Sequence, residues 1–305
     1  MPVKPPQRPI SIAPRWARAT EMTERARIAG ELGVDQIWLA QLPDQRDATI
    51  MAASFLHAAP FATVGTAILP VYARHPVSTA QAALTLSEIS GGRFALGLGF
   101  SHQFINEYVL GCQPGPPIAA TREYLRIVKD LIDEGSATRE GKYFTGRARY
   151  AATRGPVPLF LAALRPQMIR LAVEHCDGIL LWLCTPRYIK EQVTPIVTEA
   201  CARFGKDPEE FQVLTLIPAH VTDNPHEARD LAMQQIQSYR LLPYYRYVLE
   251  AYGQIDPAEI TLFGSKDQIR TQMEVYREAG TTPVIAPFSE SVDGFAEAIM
   301  AAFET

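Results

Sequence analysis

Eight short apolar runs, each separated from the next by a stretch with helical spacing, constrain this chain more than any other feature. They are Pro9–Ala13, Gln36–Leu39, Val64–Ile68, Phe94–Leu98, Pro158–Ala162, Gly178–Trp182, Val213–Ile217 and Pro283–Pro287. Runs that are apolar almost throughout, rather than alternating, belong to strands covered on both faces, as in a parallel sheet coated with helices. The segments between them repeat apolar residues at three- and four-residue steps. One carries Tyr124, Leu125, Val128, Leu131 and Ile132, another Ile189, Val193, Ile196, Ala200 and Phe204. Asn224 ahead of Glu227 and Ser265 ahead of Gln268 have the spacing of helix caps, and Gly91-Gly92 that of a helix stop.

Strand and helix alternation admits an open doubly wound sheet or a closed (β/α)8 TIM barrel. The open sheet is disfavoured, because no Gly-x-Gly-x-x-Gly follows the first run and the alternation continues unbroken. The expected fold is therefore an α/β barrel, one domain over residues 1–305, somewhat longer than the ~250 residues typical of such barrels. Two stretches exceed what the barrel needs. They are Thr138–Pro156, and Ala228–Ile260 with Tyr239, Tyr244, Tyr245, Tyr247 and Tyr252. They are expected as insertions near the C-terminal face, over the mouth.

Composition removes several functions. The formal net charge is -4, with no basic run interleaved with aromatics, which argues against a nucleic-acid partner. No apolar stretch approaches the ~20 residues of a membrane span. Met1–Arg8 is proline-rich, without the apolar core of a signal peptide, so it is expected to be a mobile tail and the protein cytoplasmic. Cys112, Cys176, Cys184 and Cys201 form no C-x-x-C pair and have no histidine at zinc-finger spacing. Buried thiols, not a metal or a disulfide, are expected.

In such a barrel, chemistry collects at the carboxyl ends of the strands. Past the third run lies Gly65 to Pro76, with Arg74 and His75; past the fourth lies Gly97 to Tyr108. There Gly97 and Gly99 either let a ligand approach the backbone or make room for packing. His102, just past the fourth run, is the best-placed acid or base of the six histidines. His57, His175 and His226 fall on helices, and His75 and His220 at strand or loop ends.

Several segments in order form a more specific pattern than any alone. They are Gly33-Val34-Asp35-Gln36-Ile37-Trp38, Gln41-Leu42-Pro43, Gly65-Thr66-Ala67-Ile68 leading to Arg74-His75-Pro76, and Ala83 to Gly99. Gly99-Phe100-Ser101-His102, Arg122-Glu123-Tyr124-Leu125, Ala162 to Met168 and Leu181-Trp182-Leu183 follow. From Glu31 to Phe288 the chain resembles the bacterial luciferase-like monooxygenase superfamily, and within it the coenzyme F420-dependent oxidoreductases. The resemblance implies a non-prolyl cis peptide at or beside Ala67-Ile68, under the cofactor ring, with Gln41, Gly99, Ser101 and Asn106 around it. It also implies a phosphate site at Ala162, Ala163, Leu164, Arg165 and Gln167, where free amides open a helix. Arg165 stands where many relatives have glycine, so it either adds a charged contact or alters how closely the backbone approaches.

The acidic tail of F420 makes Arg74, Arg165, Arg187 and Lys190 candidate partners. Asn106 and Glu107 match a pair lying near the cofactor in relatives, with an ordinary helix cap as the competing role for Asn106. Relatives acting on sugar phosphates or alcohols have an Asp-His pair after the second strand. Here Trp38-Leu39-Ala40-Gln41 offers no imidazole, which argues against those substrates. The implied activity is hydride transfer between deazaflavin C5 and a small organic substrate, in the reducing direction, with His102 moving the proton in a homodimeric enzyme. An FMN-dependent monooxygenase and a non-catalytic cofactor-binding protein are the alternatives.

Overall fold

The computed structural model describes residues 7–12, 17–152, 155–253, 255–287 and 291–303. The tail up to residue 6, residue 13 of the first run and residues 153 and 154 of the first insertion lie outside them. Eight strands close a parallel barrel. They are β1 (Pro9–Ser11), β2 (Gln36–Leu39), β3 (Thr63–Thr66), β4 (Phe94–Gly99), β5 (Leu159–Ala162), β6 (Gly178–Trp182), β7 (Gln212–Val221) and β8 (Thr282–Pro287). Each pairs with the next, and β8 returns to β1 through Ile285 and Ile10. Every predicted apolar run is a barrel strand. β7 runs further than expected because Ala219, His220 and Val221 pair with Leu262–Gly264, where the second insertion returns to the barrel.

The barrel interior is filled by Trp38, Ala95, Phe160, Leu180, Leu214, Leu216 and Val284. The rings of Trp38 and Phe160 meet edge to face with centroids 5.0 Å apart. Gly65 gives Trp38 its space, since a Cβ there would lie 2.4 Å from the indole. A filled interior leaves function to the rim.

The main outer helices are α1 (Ala19–Glu31), α2 (Ala48–Ala58), α3 (Pro76–Ser90), α4 (Pro117–Asp133), α5 (Pro166–His175), α6 (Thr194–Phe204), α7 (Lys266–Glu278) and α8 (Val292–Phe303). The stripe Tyr124, Leu125, Val128, Leu131 and Ile132 is buried as its spacing requires, each large side chain contributing roughly 1.5–3 kcal/mol. Ser265 and Gln268 form the expected capping box on α7, and Gly91 ends α3 in the left-handed conformation at φ 67°. The other stripe drifts. A π-helical turn at Ile189–Val193 precedes α6, so burial passes from Val193 to Val197, Ala200 and Cys201, and Phe204 is left exposed.

The two insertions part company. The first forms an antiparallel hairpin, Ser136–Arg139 with Gly146–Arg149. It runs beside α4, where the Glu123 carboxylate accepts the amides of Lys142, Tyr143 and Phe144. Its tip reaches the C-terminal end of the barrel, with Phe144 against Tyr72 and Tyr124. The second insertion folds over the strand ends. Its helices Pro225–Ile236 and Pro243–Glu250 and 3-10 turns Gln237–Leu241 and Pro257–Ile260 share a small core of Leu183, Ala232, Ile236, Leu249, Ala258 and Ile260. Cys176, Cys184 and Cys201 are buried thiols; Cys112 is only partly buried. Among the described residues no helix is long and apolar enough to cross a membrane, and no three metal-ligating side chains converge.

Candidate active site

The end of β3 is the most irregular strand end of the barrel. The chain leaves the sheet after Thr66, passes through a cis peptide between Ala67 and Ile68, and resumes pairing with β4 at Leu69–Pro70. Neighbouring backbone pins the detour: the Ala67 amide donates to Leu39 O at 2.7 Å and the Gln41 amide to Ile68 O at 3.1 Å. Thr66 locks it from below, its hydroxyl donating to Gly97 O at 2.8 Å and accepting the Gly97 amide at 2.9 Å. Ala67 and Ile68 themselves stay half-buried, between the barrel interior and the mouth.

This detour explains the two glycines of β4. A Cβ on Gly97 would lie 1.8 Å from Thr66 O, and one on Gly99 2.9 Å from the Ile68 side chain and 3.2 Å from Ala162 Cβ. The space beside both is taken by the protein itself. Of the two sequence readings of Gly97 and Gly99, room for packing is the one their surroundings support.

Past β4, Ser101 adopts φ 65°, a conformation uncommon for a residue with a side chain. It turns the chain so that His102 faces the second insertion, its ring 5.7 Å from that of Tyr245. Burial lowers the His102 pKa below 6.5, so the imidazole is neutral at pH 7, and its Nδ1 is buried without a hydrogen-bond partner. Asn106 is fully buried in the π-helical turn Ile105–Val109. Its amide donates to Phe100 O at 2.9 Å, while its Oδ1 has no partner. Asn106 thus braces the loop and is not a helix cap. Glu107 is exposed and accepts a bond from Gln103.

The end of β5 carries Ala162, half-buried, Ala163, buried, and Leu164, whose carbonyl accepts the Tyr188 hydroxyl at 2.6 Å. Arg165 is the N-cap position of α5, Pro166 opens the helix without an amide, and no side chain caps it. Gln167 is exposed in the first turn. The Arg165 guanidinium is engaged elsewhere. It packs over Tyr247 at 4.6 Å and Tyr244 at 5.2 Å, and donates to Pro243 O at 3.2 Å. It fastens the second insertion to the start of α5. Arg187 acts likewise on Tyr252 at 4.3 Å.

Gln41 and Arg74 also have protein partners. Gln41 Oε1 accepts the Ala48 amide at 2.8 Å at the start of α2. Arg74 pairs with Asp47, the N-cap of the same helix. Burial works against the Asp47 charge, but the Thr49 hydroxyl, the Ile50 amide and Arg74 together hold its carboxyl below the usual range. His75 caps α3, accepting the Val77 amide.

Sequence reasoning placed Tyr239 and Tyr245 in an insertion over the mouth and Trp182 in the motif Leu181-Trp182-Leu183, but did not bring the three together as one wall. Trp182 ends β6 and packs against both the barrel-interior cluster, as Ala67 and Ile68 also do, and the insertion core. Its ring lies 6.1 Å from Tyr239, which meets Tyr245 edge to face at 4.8 Å, and Tyr245 reaches His102. The four rings form an arch from β6 to β4 across the end of β5. The local signals were a tryptophan at the last position of an apolar run and a tyrosine-rich insertion, with nothing local to join them.

The sequence matches the luciferase-like monooxygenase family over residues 3–283. It is 28% identical over 234 residues to the 5,10-methylenetetrahydromethanopterin reductase of Methanolobus tindarius, covering 76% of this chain and 71% of that one. A Mycobacterium tuberculosis protein described as a coenzyme F420-dependent oxidoreductase is 29% identical over 270 residues, covering 73% and 78%. An F420-dependent secondary alcohol dehydrogenase, solved with an F420–acetone adduct, superposes with a TM-score of 0.81 at 22% identity, over 98% of this chain and 99% of that one. That likeness bears on the fold.

Proposed function

The chain belongs to the luciferase-like monooxygenase family, and from that premise we propose that it is a coenzyme F420-dependent oxidoreductase that reduces a small organic substrate. The observation that carries this reading is the rim at β3, where the cis Ala67–Ile68 peptide stands half-buried over the filled barrel. A planar ring system fits there, against a shelf pinned by backbone bonds from Leu39 and Gln41 and backed by Gly97 and Gly99. The uncapped start of α5, from Leu164 to Gln167, suits the cofactor's phosphate. When bound, the deazaflavin supplies the hydride at its C5 carbon.

The chain's own residues then align and shield. Ala67 and Ile68 support the ring face, with Gln41, Ser101, Asn106, Ala162 and Ala163 around it and Gly99 behind Ile68, making room for the shelf. Arg165 holds the insertion down over the phosphate end, and with Arg74 it is a candidate for the cofactor's acidic tail only if Tyr244, Tyr247 and Asp47 give it up. His102, neutral and partly buried, can accept or relay a proton through its unpartnered Nδ1. The reading includes one barrel domain over residues 1–305, a cytoplasmic location and a homodimer, the last supported by family resemblance.

Titration of the purified protein with F420 and with FMN, followed by quenching of tryptophan fluorescence, tests the cofactor. Trp182, which packs against the same interior cluster as Ala67 and Ile68, should report ring binding. Tight F420 binding with little response to FMN is expected. Tight FMN binding with none for F420, and stoichiometric oxygen use on turnover, would establish the monooxygenase instead.

A further inference from the structure

Substrate recognition can be carried further, on the assumption that the shelf at Ala67–Ile68 holds the cofactor ring. The arch Trp182, Tyr239, Tyr245 and His102 rises from the same barrel mouth as that shelf: Trp182, Ala67 and Ile68 each pack against the barrel-interior cluster, and Trp182, Tyr239 and Tyr245 against the insertion core. All four members are rings, and none brings a full charge at neutral pH, since burial keeps the imidazole neutral and raises the Tyr245 hydroxyl pKa. The nearby cations do not supply one either: Arg165 lies on Tyr244 and Tyr247, and Arg187 on Tyr252 with Glu191.

Within this wall two buried ring nitrogens lack a partner, His102 Nδ1, the proton-relay candidate, and Trp182 Nε1. The indole Nε1 of Trp182 is buried and makes no hydrogen bond. An indole N–H is a donor only, so it can be satisfied by an acceptor and by nothing else. Burying such a group unpaired costs about 1–3 kcal/mol, and the other indole of the barrel, Trp38, has its Nε1 bonded to Gln36 Oε1 at 3.2 Å. A cationic guest would meet the wrong end of that dipole, and an anionic one would enter a ring-lined wall with no free counter-charge.

We infer that the arch recognises a planar, uncharged carbonyl compound, an aryl ketone or conjugated enone, whose oxygen accepts the Trp182 Nε1–H bond while its plane lies along Tyr239 and Tyr245. Trp182 is then the specificity-determining residue on the substrate side. The rings supply apolar contact, and the Trp182 N–H, the unpartnered donor at β6, fixes which end of the substrate points there.

The test uses three probes of one shape, acetophenone, ethylbenzene and benzoate, with the wild type and Trp182→Phe in the presence of saturating F420. Phenylalanine keeps a ring in the wall and removes the donor. Wild type should bind acetophenone about tenfold more tightly than either other probe, and Trp182→Phe should lose that tenfold preference over ethylbenzene. F420 affinity should change less than about twofold, which separates the loss of a donor from collapse of the site. If the variant does not fold, the wild-type ranking alone decides. Equal binding of acetophenone and ethylbenzene, preference for benzoate, or an unchanged acetophenone preference in Trp182→Phe would overturn the inference. Failure of the wild type to bind F420 at all would instead overturn the cofactor assignment on which it rests.

Discussion

Substituting Gly97 by alanine should damage this protein far more than the same change at Gly99, although both are buried glycines of one strand. An alanine Cβ at position 97 would stand 1.8 Å from Thr66 O and 2.7 Å from Leu180 Cδ1. Close carbon–oxygen contacts settle near about 3.3 Å, so the backbone at Thr66 must retreat by about 1.5 Å, the difference between 3.3 and 1.8. That oxygen belongs to main chain and cannot swing aside. Overpacking of this kind costs about 1–3 kcal/mol or more. The retreat also breaks the paired bonds between the Thr66 hydroxyl and the Gly97 backbone, leaving buried groups unsatisfied for about 1–3 kcal/mol further.

A total of about 2–6 kcal/mol follows, a large share of the ~5–15 kcal/mol typical of a folded domain. At Gly99 the first obstacle is the Ile68 side chain at 2.9 Å, which can rotate, and about 1 kcal/mol is expected. Urea unfolding followed by far-ultraviolet circular dichroism measures both. Equal losses for the two variants, or less than about 1 kcal/mol for Gly97→Ala, would refute the reasoning.

Three further outcomes follow from the same geometry. Arg165→Ala removes the contacts to Tyr244, Tyr247 and Pro243, worth roughly 2 kcal/mol together, so amide exchange in Pro243–Glu250 should accelerate at least tenfold while the barrel strands keep their protection. Glu123→Gln loosens the hairpin tip by about 1–2 kcal/mol. The Glu123 pKa is lowered below 4.5 despite partial burial, by the amides of Phe144, Tyr143 and Lys142, so its contribution is present above pH 4.5 and lost as pH falls through the folded value. Proteolytic nicking at Lys142 against pH reads this. His102, with its pKa lowered by burial from 6.5, stabilises the fold fully above pH 6.5 and loses that contribution as pH falls toward the folded value. Its imidazole signals in NMR should therefore titrate below 6.5, and a midpoint at or above it would show that His102 is not buried as described.

The barrel was legible because strands covered on both faces leave continuous apolar runs, and all eight appear where such runs stand. The stripe of α4 was legible for the same local reason. The drift after Val193 was not, because a π-helical turn changes the period within one segment and leaves no composition signal. Ala67–Ile68 was reached through family resemblance, since nothing in the residues Gly65-Thr66-Ala67-Ile68 announces a cis bond. The charged residues were the least legible. Arg74 and Arg165 look like free cations in the sequence because Asp47, Tyr244 and Tyr247 lie far away along the chain. Trp182, Tyr239 and Tyr245 were visible as residues, but their meeting with His102 depends on how the second insertion folds back, which no local pattern encodes.

The central claim is that the rim at β3 holds a deazaflavin ring and the start of α5 its phosphate. A crystal structure of the protein soaked or grown with F420 tests it most directly. The ring should lie against the Ala67–Ile68 peptide beneath the Trp182 to His102 arch, with the phosphate at the amides between Leu164 and Gln167. A cofactor bound elsewhere on the barrel, or a ring site filled by FMN in preference to F420, would contradict the account.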